Sequence, residues 1–275
     1  MITEITALYA ITDDMLKAMG HKEDCRTQMS DAEVITAALI AARFFGGNHK
    51  QTCEYLKEHG YMPKMLESSR FCRRLHRLFL PLLDLFDCLG MVLKSLTDST
   101  EYLLDSFPVA ICDNIRIPRA RLVHSEDYRG YIASKKRYFY GIRVQLLSTK
   151  EGIPVEFAFL PGEANDTRGI KALPFNIPSG SSIYADAGYT DYLSEDDLKL
   201  ADDITLQVMR KRNSQRPDAP WVAYVKQVTR HYIETVFSAI TCRFPKSIHA
   251  VTMDGFLLKL TTFIVAFTLE SVFIH

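Results

Sequence analysis

Residues 138–160 read YFYGIRVQLLSTKEGIPVEFAFL, and this stretch decides the fold class. Residues 138–148 and 153–160 are both rich in aromatic and β-branched side chains, and a Lys-Glu-Gly turn at residues 150–152 separates them. This pattern predicts a β-hairpin. Working outward, apolar runs predict one strand before the hairpin, at residues 102–112, and two after it, at residues 182–185 and 204–209.

The sequence between and after these strands predicts helices at residues 167–173, 194–200, 222–244 and 253–274. Three strands followed by helix, strand, helix, strand and helix is the order of an RNase H-like domain. We therefore predict an α/β fold with a mixed five-stranded sheet and flanking helices, in which the first and fourth strands are neighbours. Pro108 cannot donate to a sheet ladder, so we expect the first strand to bulge or break there.

Residues 1–98 are predicted to be helical. Ser30 and Glu33 form a capping-box pattern before an apolar helix that Gly46 and Gly47 end. A second helix is predicted at residues 50–58, and a third begins near residue 68. The third helix carries four arginines at i, i+3, i+4 and i+7, which share one face: Arg70, Arg73, Arg74 and Arg77. This arrangement predicts a helix-turn-helix-like DNA-binding domain at residues 1–98 and an RNase H-like domain at residues 99–275. The alternative is an ordinary amphipathic helix with a solvated basic face.

Three acids lie in segments that suit metal ligands. Asp105 lies in the apolar run YLLDSFPV (102–109), Asp186 ends the run SIYAD (182–186), and Glu234 lies in the helical segment RHYIETVF (230–237). Burying a carboxylate is costly unless a cation or hydrogen bonds compensate. Three such acids therefore suggest a shared cation, and all-oxygen ligation favours Mg²⁺ or Mn²⁺ over zinc. Asp113 is an alternative first ligand.

The charge pattern is local. The chain has 33 Lys and Arg against 33 Asp and Glu, so its net charge gives no sign of nucleic-acid binding. Two clusters could bind backbone phosphates without reading bases, although solvated loops would look the same. The first lies between residues 115 and 150 and the second follows the fifth predicted strand: Arg116, Arg119, Arg121, Arg129, Lys135, Lys136, Arg137, Arg143 and Lys150, then Arg210, Lys211, Arg212 and Arg216.

The cysteines and the apolar C-terminus argue against a secreted, disulfide-bonded protein and against a membrane protein. The six cysteines form no C-x-x-C pair, and the N-terminus has no signal-peptide pattern, so we expect reduced thiols in a cytoplasmic protein. Residues 256–274 are strongly apolar but contain Lys259 and Glu270. Because charge within a bilayer is expensive, we predict a buried core helix and no membrane association.

Five segments in order resemble the DDE transposases of bacterial insertion sequences. They are LDSFP (104–108), KRYFYGIR (136–143), PGEAND (161–166), ADAGY (185–189) and the third-acid segment Arg230-x-x-x-Glu234-x-x-Phe237. Residues 69–75 are similar to the N-terminal region of one group of short transposases. The sequence departs from the family pattern at Asn165, Gln227 and Thr241, where relatives commonly carry His, Tyr and a basic residue.

The resemblance implies a metal-dependent DNA transposase that binds element ends and performs phosphodiester hydrolysis and strand transfer. Two Mg²⁺ or Mn²⁺ ions about 4 Å apart would be bound, with Asp105 bridging both and Asp186 and Glu234 completing one coordination sphere each. Arg230 would hold a phosphate or pair with Glu234. The implied partners are double-stranded DNA (terminal repeats and target) and a second copy on DNA, in the nucleoid. The alternatives are a catalytically inactive DNA-binding derivative and another RNase H-like nuclease.

Overall fold

The computed structural model describes residues 1–97, 99–112, 122–132, 136–245 and 247–273. The chain forms two compact units, one of Met1–Leu89 with Cys242–His275 and one of Gly90–Thr241. The helices and strands follow in chain order: α1 (Ile2–Ala18), α2 (Asp31–Phe44), α3 (His49–Glu58), α4 (Ser68–Arg77), α5 (Phe79–Leu96), β1 (Glu101–Cys112), β2 (Arg129–Ile132), β3 (Arg137–Thr149), β4 (Pro154–Pro161), α6 (Asp166–Ala172), β5 (Ser182–Ala185), α7 (Tyr192–Asp202), β6 (Thr205–Val208), α8 (Pro220–Cys242) and α9 (Met253–Phe273).

Helix α2 is the core of the helical unit. It packs against α1, α3, α4 and α9, and nearly all of its residues are buried. The predicted capping box begins it: the Glu33 N–H donates to the Ser30 hydroxyl at 3.0 Å, and the Ser30 N–H donates to the Glu33 carboxylate at 2.6 Å. These two bonds satisfy amide groups that the first turn of a helix leaves without intrahelical partners.

The last helix, α9, packs against α2 in this unit. It is the one helix of the described chain that is long and apolar enough to cross a membrane, and most of its side chains are buried by protein. That burial agrees with the predicted core helix. The compact units divide after Leu89 and join α9 to the helical unit, whereas the sequence suggested a boundary at residues 98 and 99. The functional division at that boundary stays a prediction. All six cysteines are free thiols in this structure.

The other unit is built on a mixed sheet. Strand β3 pairs antiparallel with β1 on one side and with β2 and β4 on the other, and β1, β5 and β6 run parallel. The predicted neighbours, β1 and β5, are therefore adjacent. The α/β class with flanking helices is confirmed, and the sheet is consistent with an RNase H-like domain.

The predicted number of five strands is wrong, because the sheet has six. The additional strand, β2, has the sequence RGYI and pairs with the first four residues of β3. A Cβ on Gly130 would lie 2.1 Å from the Gly162 carbonyl oxygen, so only glycine allows this close approach. Four residues with a glycine among them give no strand signal of their own.

Strand β1 does not break at Pro108. Pro108 stays in register opposite Arg143 of β3, and the irregularity lies between Ala110 and Cys112. Strand β5 pairs with β1 over the segment Glu101 to Leu104, so Pro108 lies beyond the part of β1 that β5 borders. An edge position tolerates a residue without an N–H donor, which explains why no break is needed.

A buried ion pair in the sheet-containing unit generates a stability prediction. Lys94 Nζ lies 2.8 Å from Glu156 Oε1, and both side chains are buried. Removing Lys94 leaves the buried Glu156 carboxylate without this counter-ion, although the Asn176 N–H still donates to it. Lys94→Met should therefore lower the free energy of unfolding by about 3 kcal/mol. Lys199→Met, which removes a half-exposed partner of Asp203, is the matched control and should change it far less, since an exposed ion pair is screened by solvent. Urea unfolding of both variants measures the difference, and equal effects would contradict it.

Candidate active site

Two of the three predicted acids lie at the same edge of the sheet. Leu104 of β1 is paired with Ala185 of β5, so the next residues, Asp105 and Asp186, follow side by side. Each carboxylate is oriented by the N–H group of the residue after it: Ser106 donates to Asp105 Oδ1, and Ala187 donates to Asp186 Oδ1, both at 2.7 Å. The second carboxylate oxygens, Asp105 Oδ2 and Asp186 Oδ2, take no part in these two hydrogen bonds.

Glu234 joins them through one guanidinium group. Arg230 lies one helical turn before Glu234 on α8, with its Nε 3.3 Å from Glu234 Oε1. The same side chain places Nη1 3.6 Å from Asp186 Oδ1. The structure therefore brings Asp105, Asp186 and Glu234 to one region of the sheet-containing unit, where a single cation of the chain spans two of them.

A fourth carboxylate, Asp166, lies beside Asp105. Its Oδ1 accepts a hydrogen bond from the Ser106 hydroxyl at 3.0 Å, and Arg143 Nη1 lies 3.1 Å from that hydroxyl and 3.7 Å from Asp166. A Cβ on Gly188 would lie 2.4 Å from Asp166 Oδ2, so the glycine makes room for this carboxylate. The cap of α6 is Asn165, which accepts from the Arg168 N–H. In the sequence, only the resemblance of the segment PGEAND (161–166) pointed to this region.

The surroundings of Asp105 disfavour its charged form. Burial raises the pKa of Asp105 from its ordinary 3.8 to about 7. This value already includes the Ser106 N–H and the positive charge of Arg143, which lower the pKa, and the negative charges of Asp166 and Asp186, which raise it together with burial. Burial beside the same carboxylates also raises the pKa of the Tyr189 phenol well above 10, so it stays neutral and donates to Gln145 Oε1 at 2.6 Å.

The donor chemistry of this site fits a divalent cation, although the side chains are not gathered around one point. Within the described ranges, no three His, Cys, Asp or Glu side chains are close enough to ligate one ion. The available donors are carboxylate oxygens, which Mg²⁺ and Mn²⁺ prefer. Burial, with smaller contributions from the charges of Asp166 and Asp186, raises the pKa of Asp105, so a cation bound there would favour its charged form. Arg230 now lies between the other two acids, where it acts as their counter-ion.

Two of the predicted DNA-binding arginines are bonded to acids of the protein. Arg74 turns away from the other α4 arginines and donates to Glu23 at 3.0 Å and to Asp31 at 2.7 Å. Arg210 makes two hydrogen bonds to Glu195 and is largely buried. Their charges are already neutralised, so they have little left to offer a phosphate.

The remaining predicted DNA-binding residues divide by exposure. Arg143 is half-buried beside the acids, and Arg230 is 44% exposed between two of them. Seven others are exposed to solvent: Arg70, Arg73, Arg77, Lys136, Arg137, Lys211 and Arg212. Some residues of the sequence analysis lie outside the described residues, namely the alternative ligand Asp113 and the basic residues Arg116, Arg119, Arg121 and Lys135.

Comparison with known proteins agrees with this geometry. A family model described as a transposase DDE domain matches residues 96–249, which is more than half of the chain and includes all three acids. No curated protein and no solved structure gives a significant match. The chain therefore belongs to the transposase DDE domain family. It falls among DNA-directed enzymes that cut and transfer nucleic-acid strands.

The raised pKa of Asp105 generates a prediction about stability and pH. Because the folded pKa is about 7 and the ordinary value is 3.8, the native state holds a proton that the unfolded state loses between these values. The contribution of this protonated carboxyl group to the free energy of unfolding is fully present below about pH 4 and is lost as the pH rises through about 7. In metal-free buffer, Asp105→Asn should therefore be more stable than wild type, and the gap should widen from pH 5 to pH 8 by about 1 kcal/mol or more. Denaturant unfolding at both pH values measures this, and a gap that does not change would refute the assigned burial.

Proposed function

We propose that this protein is an insertion-sequence transposase that binds the ends of its element and carries out two-metal phosphodiester hydrolysis and strand transfer. The supporting observation is the placement of Asp105 and Asp186 on adjacent parallel strands, with Glu234 joined to Asp186 through Arg230. Three carboxylates on a rigid sheet edge and one helix suit the binding of divalent cations at a phosphate.

In this proposal Asp105, Asp186 and Glu234 hold two Mg²⁺ or Mn²⁺ ions. When bound, the ions supply activation of the attacking oxygen and stabilisation of the leaving oxygen. The Ser106 and Ala187 N–H groups fix the orientation of the first two carboxylates. Arg230, released from its two acids, is placed to hold a phosphate oxygen. Arg143 and Ser106 position Asp166 beside Asp105.

DNA binding is proposed for the exposed basic residues. Arg70, Arg73 and Arg77 of α4 would contact the element ends, and the exposed basic pairs at residues 136–137 and 211–212 would contact phosphates near the site. Lys135 stays in this predicted set. We infer that double-stranded DNA is the substrate, that two copies act together on it, and that the protein works at the nucleoid in the cytoplasm.

The decisive experiment is cleavage of a labelled duplex that carries the flanking element ends, with Mg²⁺ or Mn²⁺ present. Wild type should cut, and Asp186→Asn should lower the rate by about a thousandfold or more, since metal-held transition-state stabilisation is lost. Asp196→Asn, which removes an exposed acid paired with Arg216, is the matched control and should cut normally.

Three outcomes separate the alternatives. Binding of the ends without cutting by wild type would indicate a DNA-binding derivative that has lost catalysis. Cutting that ignores the element ends would indicate another nuclease. Comparison of Asp105→Asn with Asp113→Asn tests the first ligand, and loss of cutting only in the second would show that Asp105 is the wrong acid.

Arg230 generates a separate prediction about metal affinity. Its guanidinium neutralises Asp186 and Glu234, so a metal ion must displace it. Arg230→Gln should therefore tighten Mg²⁺ binding by about fivefold, because a nearby positive charge is removed, while DNA cutting falls. Arg216→Gln, which lacks such neighbours among the three acids, is the control. Calorimetric titration of Mg²⁺ in the absence of DNA measures the affinity, and weaker binding by Arg230→Gln would contradict displacement.

A further inference from the structure

Helix α8 carries a long row of side chains that the described residues leave exposed to solvent. Trp221, Val225, Val228 and Tyr232 are 72%, 45%, 52% and 42% exposed. The row continues along the same helix through three further exposed positions: Thr235, Ala239 and Cys242. Its spacing alternates between four and three residues throughout, which is the spacing with which one helix packs along another. We refer to these seven residues as the α8 seam.

The α8 seam lies apart from the other faces of the helix. The inward face consists of buried residues that include Ile233, Phe237 and Ile240. At about 100° per residue, the seam lies roughly 80–180° around the axis from Glu234. A partner on the seam would therefore leave the face that carries Glu234 and Arg230 open.

The chemistry of the seam indicates a protein partner. Between residues 220 and 229 the one charged residue is Lys226, and its Nζ is buried against Asp218 at 2.8 Å and the Val208 carbonyl oxygen at 3.0 Å. Aromatic residues without exposed charge are typical of the centre of a protein interface, whereas a DNA-binding surface carries cations. The Thr235 hydroxyl donates to the His231 carbonyl oxygen of its own helix, so its polar group is already satisfied.

We propose that the α8 seam pairs with the α8 seam of a second copy of this chain, with the two helices antiparallel. The seam is bulky at its beginning, with Trp221, and small at its end, with Ala239 and Cys242. An antiparallel pair places the bulky end of each helix against the small end of the other and keeps the spacing even, with Tyr232 near the two-fold axis. A parallel pair would set Trp221 against itself and leave gaps at Ala239. Because the seam has no charge, the identical faces do not repel each other.

The exposed area of the α8 seam determines how strongly the two copies are expected to pair. The exposed aromatic and valine side chains represent on the order of 500 Å² per copy. About 1,000 Å² in total lies at the lower end for a specific interface, so the pairing is weak in free solution. Two copies on one DNA would pair more strongly through their high local concentration. The inference deepens one element of the proposed function, the pairing of copies, yet it is tested without DNA or metal.

The first test uses the fact that Trp221 is the only tryptophan of the chain. Sedimentation velocity over a range of concentrations should show wild type passing from one copy to two, and the Trp221 emission should shift to the blue as the side chain is buried. Val225→Glu combined with Val228→Glu should weaken association at least about tenfold. Leu200→Glu on α7 replaces an 85% exposed leucine and should associate as wild type does. Equal melting temperatures show that the variants fold.

A second test fixes the orientation, in a Cys25→Ser background that removes another exposed thiol. In an antiparallel pair, Trp221→Cys should form a disulfide-linked dimer through the native Cys242 of the second copy, and Cys242→Ser should abolish it. A Cys242-linked dimer of the chain with Trp221 retained would show a parallel pair and overturn the orientation.

The pairing itself is overturned by a wild-type chain that stays monomeric at high concentration, or by a double glutamate variant that associates normally.

Discussion

The parallel pairing of β1 with β5 is the constraint on which the site depends. Leu104 opposite Ala185 places Asp105 and Asp186 next to each other at the point where β5 ends. The alternating burial of β5 fixes this register, because Ile183 and Ala185 are buried whereas Ser182 and Tyr184 are only half-buried. A shift of β5 by one residue would move Ile183 and Ala185 to the opposite face of the sheet. Such a shift would also move Asp105 away from Asp186, so the apolar core and the acid pair are set by the same contacts.

The acids are held close by the fold at a cost to its stability. Burial and neighbouring carboxylates raise the pKa of Asp105, which means that the sheet keeps negative charge where solvent would relieve it. In the metal-free protein the compensation comes from the chain itself: Arg230 bridges Asp186 and Glu234, and Arg143 lies beside Asp166 through Ser106. In the proposed function, a bound cation would relieve the repulsion that the register imposes on these carboxylates.

The sequence predicted the features that depend on local residue patterns. It did not predict the features that depend on contacts between residues far apart in the chain. Apolar runs around Asp105 and Asp186 predicted their strands, and the order of elements predicted that β1 and β5 are neighbours. Strand β2 was missed because its four residues are held by β3 and by the absence of a Cβ at Gly130. The α4 arginines share a face in the sequence pattern, but Arg74 turns towards Glu23 and Asp31, which lie 51 and 43 residues away along the chain. No helical spacing contains that information.

Helix α8 keeps apart two faces to which we assign different proposed roles. Its 3.6-residue period separates a face that carries Arg230 and Glu234 from the α8 seam, while the buried Lys226 anchors the helix to Asp218 and to the end of β6. This anchor fixes the rotation of α8 about its own axis. Any contact that held the seam would act on the same rigid body as Glu234, because a helix transmits rotation along its length. Pairing of two copies would therefore restrict the position of the third acid relative to the two that the sheet holds.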